Sequence, residues 1–243
     1  MGTQPMLAAV ELRLRYGALA ALDGVDFTIN SGEAVGIVGP NGAGKTTLLN
    51  VLAGTVLPSG GSITFQGRDV TRTGASRRSR LGIARAHQVP RPFGGMTVFE
   101  NCFVAATTGG GLRRRAAYER CLEVLDLCAL ADLGNRRAET LGLLGRKRLE
   151  VARALSTNPV LLLLDEIGAG LTEAEAVELV ALITLLRKAG IAIVWIEHIV
   201  HVLLQGIERL ICMDTGRVIA DGEPAAVMRD ARVVDAYLGG AAA

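Results

Sequence analysis

The sequence predicts an α/β fold: a parallel sheet covered on both faces, with a helical subdomain inserted into it. Three observations lead there. Strand-length apolar runs alternate with helical periodicity in the first 90 residues and again from Val160. A glycine-rich turn, Gly39 to Gly44, joins one of those strands to a helix. From Met96 to Leu155 the periodicity is helical, with breaks at residues 109–111 and 134–145 and no convincing strand. Strands that alternate with helices imply parallel pairing.

In chain order, residues 7–15 (LAAVELRLR) partly alternate and predict a strand. Residues 24–29 predict a second, and residues 33–38 (EAVGIV) a short buried one. Residues 45–53 (KTTLLNVLA) are helical and stop at Gly54, a C-terminal cap. Residues 62–66 (SITFQ) read as a strand, 74–81 as a short arginine-rich helix, and 83–87 as another strand. After the helical middle come a strand at 160–164, a helix at 173–188, a strand at 191–196 and short elements to the end. Thr172 followed by Glu175 is a capping box that starts the long helix. Residues 1–90 and 159–243 thus form two parts of one core, and residues 91–158 the subdomain between them.

Composition narrows the function. Half of the 243 residues are hydrophobic, enough for a sizeable core, which excludes a mainly disordered chain. Net charge is +2, with 26 basic and 24 acidic residues, so charge alone implies no nucleic-acid surface. The four cysteines, at 102, 121, 128 and 212, contain no Cys-x-x-Cys pair and read as buried free thiols. No apolar run reaches membrane-spanning length and no signal peptide is visible, so a cytoplasmic chain is expected.

The chemistry is carried by two local patterns. Gly39-Pro40-Asn41-Gly42-Ala43-Gly44-Lys45-Thr46 fits G-x-x-x-x-G-K-[ST] completely. Glycines let backbone N–H groups converge on phosphate oxygens, and the following helix turns its positive end toward the same anion. Lys45 can reach the β- and γ-phosphates, and Thr46 can ligate Mg²⁺. The second pattern is Val160 to Leu164 followed by Asp165 and Glu166. Five apolar residues place a strand in the sheet interior, so Asp165 emerges at its C-terminal edge, where α/β sheets bind ligands. Asp165 is expected to hold Mg²⁺ through water, and Glu166 to orient and deprotonate an attacking water.

With these residues in place, the sequence resembles the ATP-binding subunits of ABC transporters over nearly its whole length. The resemblance implies a P-loop NTPase core with a parallel sheet, an N-terminal antiparallel β part and the inserted α-helical subdomain. Tyr16 sits where the family places an aromatic that stacks on adenine; an ordinary exposed tyrosine is the other reading. The resemblance adds Thr47 to the nucleotide-binding loop. Gln88 stands at the Q-loop position, implying contact with Mg²⁺ and the attacking water. His198 resembles the switch histidine that contacts the γ-phosphate, and Gly168 to Leu171 the D-loop. His201, three residues on, reads as structural. The subfamily it resembles is the importer ATPases for branched-chain and other hydrophobic amino acids, through FGGMTVFEN (93–101), RLEVARAL (148–155) and VDAYLG (234–239).

One departure matters. The family signature L-S-G-G-Q, or L-S-Y-G-Q, aligns with Leu141-Gly-Leu-Leu-Gly145. Gly142 replaces the serine and Leu144 a glycine, which in the family contact the γ-phosphate bound by the opposite subunit. One lost charge-assisted bond costs roughly 1.5–3 kcal/mol. Backbone N–H groups of a helix starting near Gly145, or charge from Arg146 or Lys147, are the expected substitutes. A second departure, Ile167 where proline commonly stands, carries no expectation.

The resemblance implies ATP and Mg²⁺ as ligands and head-to-tail pairing with a second ATPase subunit, identical or related. It further implies contact with integral membrane permease subunits, indirect dependence on a substrate-binding protein, and a position on the inner face of the cell membrane. No nucleic acid is expected. Val89, Phe93, Met96, Val98 and Phe99 are candidates for the permease contact, with subdomain core as the favoured reading. The clusters at Arg77-Arg78-Ser79-Arg80, Arg113 to Arg115 and Arg146 to Arg148 read as solvated faces, with lipid headgroups the lesser alternative. Other functions weighed are a weakly hydrolysing regulatory module, an ABC system for another solute such as urea or lipid, and a soluble ABC ATPase acting on DNA or ribosomes.

Overall fold

The computed structural model describes residues 4–197 and 199–239. The first part of the chain runs β1 (Leu7–Tyr16), β2 (Leu19–Ile29), β3 (Ala34–Val38), α1 (Lys45–Ala53), β4 (Gly60–Phe65), β5 (Arg68–Asp69), α2 (Ala75–Leu81) and β6 (Ile83–Ala86). The middle is α3 (Val98–Val104), continued by a π-helical turn over Ala105–Gly109, then α4 (Arg114–Leu127) and α5 (Leu143–Ser156). The last part runs β7 (Leu161–Asp165), α6 (Glu173–Lys188), β8 (Ala192–Ile196), α7 (Val200–Leu203), β9 (Arg209–Asp214), β10 (Arg217–Gly222), α8 (Pro224–Val227) and α9 (Ala231–Gly239).

Two sheets result. The N-terminal one is antiparallel, in the order β2-β1-β4-β5. The larger has the order β10-β9-β3-β8-β7-β6 and is parallel except for β10. Pleating explains why the buried strands read as unbroken apolar runs. In β7, Leu161 and Leu163 join the cluster shared with the N-terminal sheet, while Leu162 and Leu164 join the cluster under the helices. Ile37 of β3 and Asp165 of β7 both register with Ile196 of β8, so the ends of these strands meet at one edge.

Several boundaries differ from expectation. The second strand begins at Leu19 rather than residue 24, because Gly24 (φ 74°) and register shifts opposite β1 break its alternation. β4 begins at Gly60, since a Cβ on Gly61 would lie 2.4 Å from the Glu11 carbonyl oxygen: only glycine lets the strands approach. β6 stops at Ala86, leaving His87 outside it. β7 runs one residue later than expected, taking in Asp165 and releasing Val160. The middle contains no strand among the described residues, only a bridge between Thr97 and Arg137. The expected interruption at 134–145 begins already after Leu127, and α5 starts at Leu143 with Gly142 as its N-cap, not near Gly145. Gly142 is extended (φ −65°, ψ 174°), and the two leucines after it are good helix formers. The capping box at Thr172 and Glu175 is present, and all four cysteines are buried and free.

The arginine clusters are not uniformly solvated. Arg78 on α2 is fully buried. Its guanidinium donates to the carbonyls of Val51 and Leu52 (both 2.7 Å), Val70 (2.6 Å), Thr71 (3.3 Å) and Thr73 (2.8 Å). It thus closes the C-terminal end of α1, where a cation is favoured. Lys147 in the third cluster is also buried, whereas Arg77, Arg80 and Arg113 to Arg115 are exposed. The apolar candidates also divide: Val98 is core and Phe99 packs on it, while Val89, Phe93 and Met96 are exposed. His201 is exposed on α7 and not a core residue.

Candidate active site

The wholly buried β3 delivers the chain into the glycine-rich turn, and α1 begins at Lys45. The turn's glycines are sterically required at two points. A Cβ on Gly39 (φ 144°) would sit 2.1 Å from the Met213 carbonyl oxygen, and one on Gly44 (φ 98°) 2.6 Å from that of Ala21. The result is a cleft of about 410 Å³ lined by Tyr16, Leu19, Ala20, Ala21, the Asn41–Thr47 segment, Glu166 and Thr215. That volume suits a nucleotide-sized ligand. Tyr16, Asn41, Gly42, Ala43, Gly44, Lys45, Thr46 and Thr47 therefore share one cleft, as the sequence implied.

Lys45 is almost entirely buried, and its Nζ donates to the carbonyls of Gly39 (2.6 Å) and Pro40 (2.9 Å). Burial pulls its pKa below the usual lysine value, opposed by Glu166, Cys212 and Asp165. At the end of β7, Asp165 Oδ1 faces the Thr46 hydroxyl at 3.4 Å, while Oδ2 is paired with Arg85 Nη2 at 2.6 Å. Arg85 also donates to Asn50 Oδ1 at 2.6 Å. The Thr46 hydroxyl and Asp165 Oδ1 are hard oxygen donors of the kind Mg²⁺ takes, and Mg²⁺ keeps several waters rather than needing a full protein cage.

Glu166 follows in the left-handed region (φ 48°), its N–H bonded to Ile196 O at 2.9 Å. Gln88 donates its amide N–H to the Glu166 carboxylate. The pair thus brings together two side chains 78 residues apart in sequence. His198 lies outside the described residues.

Gly142 does not line this cleft. It sits at the exposed N-terminus of α5, without a side-chain cap, and nothing lies within 4 Å of a Cβ placed there. The neighbouring Leu143 approaches to 3.3 Å of the position a Cβ on Gly170 would take, so the start of α5 adjoins the Gly168–Leu171 loop. That loop is held by Glu197, whose Oε1 accepts from Gly168 N (2.7 Å) and Trp195 Nε1 (3.1 Å). Burial raises the Glu197 pKa, and those two hydrogen bonds oppose it.

Of the expected substitutes for the missing serine, the two charged side chains do not reach outward, whereas the first N–H groups of α5 lie at its exposed, uncapped start. Arg146 folds back onto the carbonyls of Leu141 (2.9 Å) and Glu139 (2.8 Å). Lys147 points into the protein, its Nζ donating to Gln88 O at 2.6 Å, with Glu166 O at 3.5 Å. Three contacts at the site escaped sequence reasoning: Lys147, Arg85, and the Tyr237 hydroxyl of α9, which accepts from Gly39 N–H at 2.9 Å. Only the last had a signal, since VDAYLG is the less generic of the segments that carry the resemblance.

A profile described as ABC transporter matches residues 22–169, and a second, described as branched-chain amino acid ATP-binding cassette transporter, matches residues 217–243. The chain belongs to the ABC transporter family. It is an ATPase cassette of that family. It is 37% identical to the high-affinity branched-chain amino acid transport ATP-binding protein LivG of Salmonella typhimurium, over 98% of this chain and 99% of that one. BraF of Pseudomonas aeruginosa, of the same description, is 34% identical over the same shares. A solved ATP-binding cassette of an ABC transporter in its ADP conformation superposes with a TM-score of 0.90 at 31% identity, covering 98% of this chain and all of the other. The cassette fold expected from the sequence is therefore present.

Proposed function

We propose that this chain is the ATP-hydrolysing subunit of an ABC importer that takes up branched-chain or related hydrophobic amino acids. The observation that carries the hydrolytic reading is Glu166, with Gln88 on its carboxylate, in the same cleft as the phosphate-binding loop. The solute class rests on the relatives and on the match at residues 217–243.

In this reading Tyr16 stacks on adenine, and N–H groups of the Asn41–Thr47 segment hold the phosphates at the positive end of α1. Lys45 exchanges a carbonyl partner for the β- and γ-phosphates. Mg²⁺, held by Thr46 with Asp165 and Gln88 around it, would neutralise charge on those oxygens. Glu166 accepts a proton from water as the water oxygen bonds to the γ-phosphorus. The bond from that phosphorus to the bridging oxygen breaks, and ADP and phosphate leave. His198, outside the described residues, is proposed to donate a hydrogen bond to the developing charge. Gly142 and its neighbours on α5 face the γ-phosphate of a second subunit, identical or related.

The permease subunits dock on the groove between core and helical subdomain. A cavity of about 280 Å³ there is lined by Thr55, Ser79, Arg85, His87, Glu150 and Arg153, among others. Exposed Val89 and Phe93 lie next to His87 and Arg91 in sequence, with Phe93 under the Arg153 guanidinium at 5.3 Å. No helix among the described residues is long and apolar enough to cross a membrane, which supports peripheral attachment through such partners. Phosphate release from wild type and from Glu166→Gln tests the hydrolytic reading. Wild-type release falling to background in the variant, with nucleotide still bound, is expected. Identical traces at background would instead support a nucleotide-binding module without turnover.

A further inference from the structure

The only other lysines, Lys45 and Lys188, lie on the phosphate loop helix and at the end of α6; Lys147 alone is buried away from the nucleotide cleft. We propose that Lys147 is a positioning residue for hydrolysis: its ammonium transmits the position of the signature helix α5 to Gln88 and Glu166. The proposal rests on the ATPase reading above.

The geometry has three parts. First, Lys147 stands five residues after the N-cap of α5, with 2% of its surface exposed, and its head group leaves its own helix to meet the core. An ammonium has three donors and no acceptor, so burial demands oxygen partners. Second, the partners are the main-chain carbonyls of Gln88, at 2.6 Å, and Glu166, at 3.5 Å. The side chains of these same two residues meet each other. One cation therefore restrains the backbones of both halves of the pair that handles water. Third, Glu166 holds a left-handed conformation that side chains other than glycine keep only when their surroundings enforce it. Its N–H is fixed by Ile196 O, and its carbonyl accepts from Ala169 N at 3.2 Å, with Lys147 beyond it.

A buried contact needed for packing alone is served by an apolar side chain. Burial pulls the Lys147 pKa below the usual lysine value, and the negative charges of Glu197, Glu166 and Glu150 oppose that shift. A shift of α5 moves the ammonium, draws the Gln88 carbonyl with it, and so changes the spacing between the Gln88 amide and the Glu166 carboxylate. That spacing decides whether a water fits between them in line with the γ-phosphate. Lys147 is not among the residues that line the nucleotide cleft and acts through these two residues.

The test uses the full chain with Lys147→Met and Lys147→Arg. Affinity is read with a fluorescent ATP analogue, kcat and KM with MgATP, and folding by thermal melting. The methionine variant is expected to bind nucleotide within threefold of wild type and keep KM within threefold, while kcat falls ten- to a hundredfold. Arginine, which keeps the charge, recovers more than half of that loss on a logarithmic scale. A methionine variant with kcat within twofold of wild type overturns the proposal. So does a loss of kcat matched by an equal loss of affinity, or an arginine variant no better than methionine. Should methionine not fold, Lys147→Gln takes its place, and failure of both to fold assigns a purely structural role and overturns it too. Absence of phosphate release from wild type would refute the ATPase reading instead, so the two failures are separable.

Discussion

Replacing Arg78 with methionine keeps the aliphatic stem and removes the guanidinium that five carbonyls share. At about 1.5–3 kcal/mol per charged hydrogen bond, the gross loss is on the order of 7–15 kcal/mol. Desolvation of the guanidinium already offsets much of that, and removing one side of a buried charged contact costs roughly 3–5 kcal/mol in practice. Of the two acceptors in the last turn of α1, Val51 O keeps the Gly54 N–H at 3.2 Å, while Leu52 O lies where the helix has no further N–H to offer. We therefore expect a loss of about 4 kcal/mol, which for a chain of this size is about 8–16 °C in Tm. Burial pulls the folded guanidinium down from the usual arginine range to about 10, so it stays charged at neutral pH. Because the folded value is the lower one, the unfolded chain holds more protons only above about pH 10, and stability linked to this group rises there. The gap between wild type and variant is accordingly flat from about pH 6 to 9. Thermal melts of Arg78→Met beside exposed Arg77→Met decide it: the control shifts by less than about 2 °C. A shift under about 3 °C for Arg78→Met would refute the reasoning, showing that the five contacts contribute no more than a surface arginine.

Lys45→Ala is expected to reduce nucleotide affinity more than about a hundredfold with an unchanged circular dichroism spectrum, since the amine is the loop's only cation. Gly142→Ser has open space for its side chain and a backbone already suited to an N-cap. It is expected to raise turnover, with stability up by a few tenths of a kcal/mol, measured by phosphate release and melting. Tyr237→Phe removes the acceptor from Gly39 N–H; a loss near the low end of about 1–3 kcal/mol raises KM for ATP three- to tenfold with kcat unchanged in a steady-state assay.

What the sequence disclosed was local. The phosphate loop is legible because its eight residues need no distant partner to be recognised, and Asp165 and Glu166 because five apolar residues point to the strand that carries them. The capping box at Thr172 was read for the same reason; the equivalent one at Thr97 and Glu100 was equally readable and went unread. The side-chain contacts that the sequence did not disclose are long-range. Arg78 looks like a neighbour of exposed Arg77 and Arg80 until α1 brings carbonyls from 26 and 27 residues away. Lys147 looks like part of a basic surface run, but it falls on the inward side of α5 once the helix starts at Leu143. Arg85 meets Asp165 across 80 residues and Tyr237 meets Gly39 across 198, distances at which neither periodicity nor a spacing rule operates.

The strand that leads into the phosphate loop is flanked by β8 and β9, both from the last quarter of the chain. During translation the ribosome therefore completes the nucleotide motif long before it makes either of that strand's neighbours. Until Ile196 has left the exit tunnel, β3 is an apolar ribbon with two bare edges, and one edge stays bare until Asp214 follows, open to pairing with another chain. Closing so long a loop between parallel partners is a slow step in folding. ATP can stabilise the finished cassette by mass action, yet it offers the growing chain no such help, because the cleft is not complete until Thr215 is made.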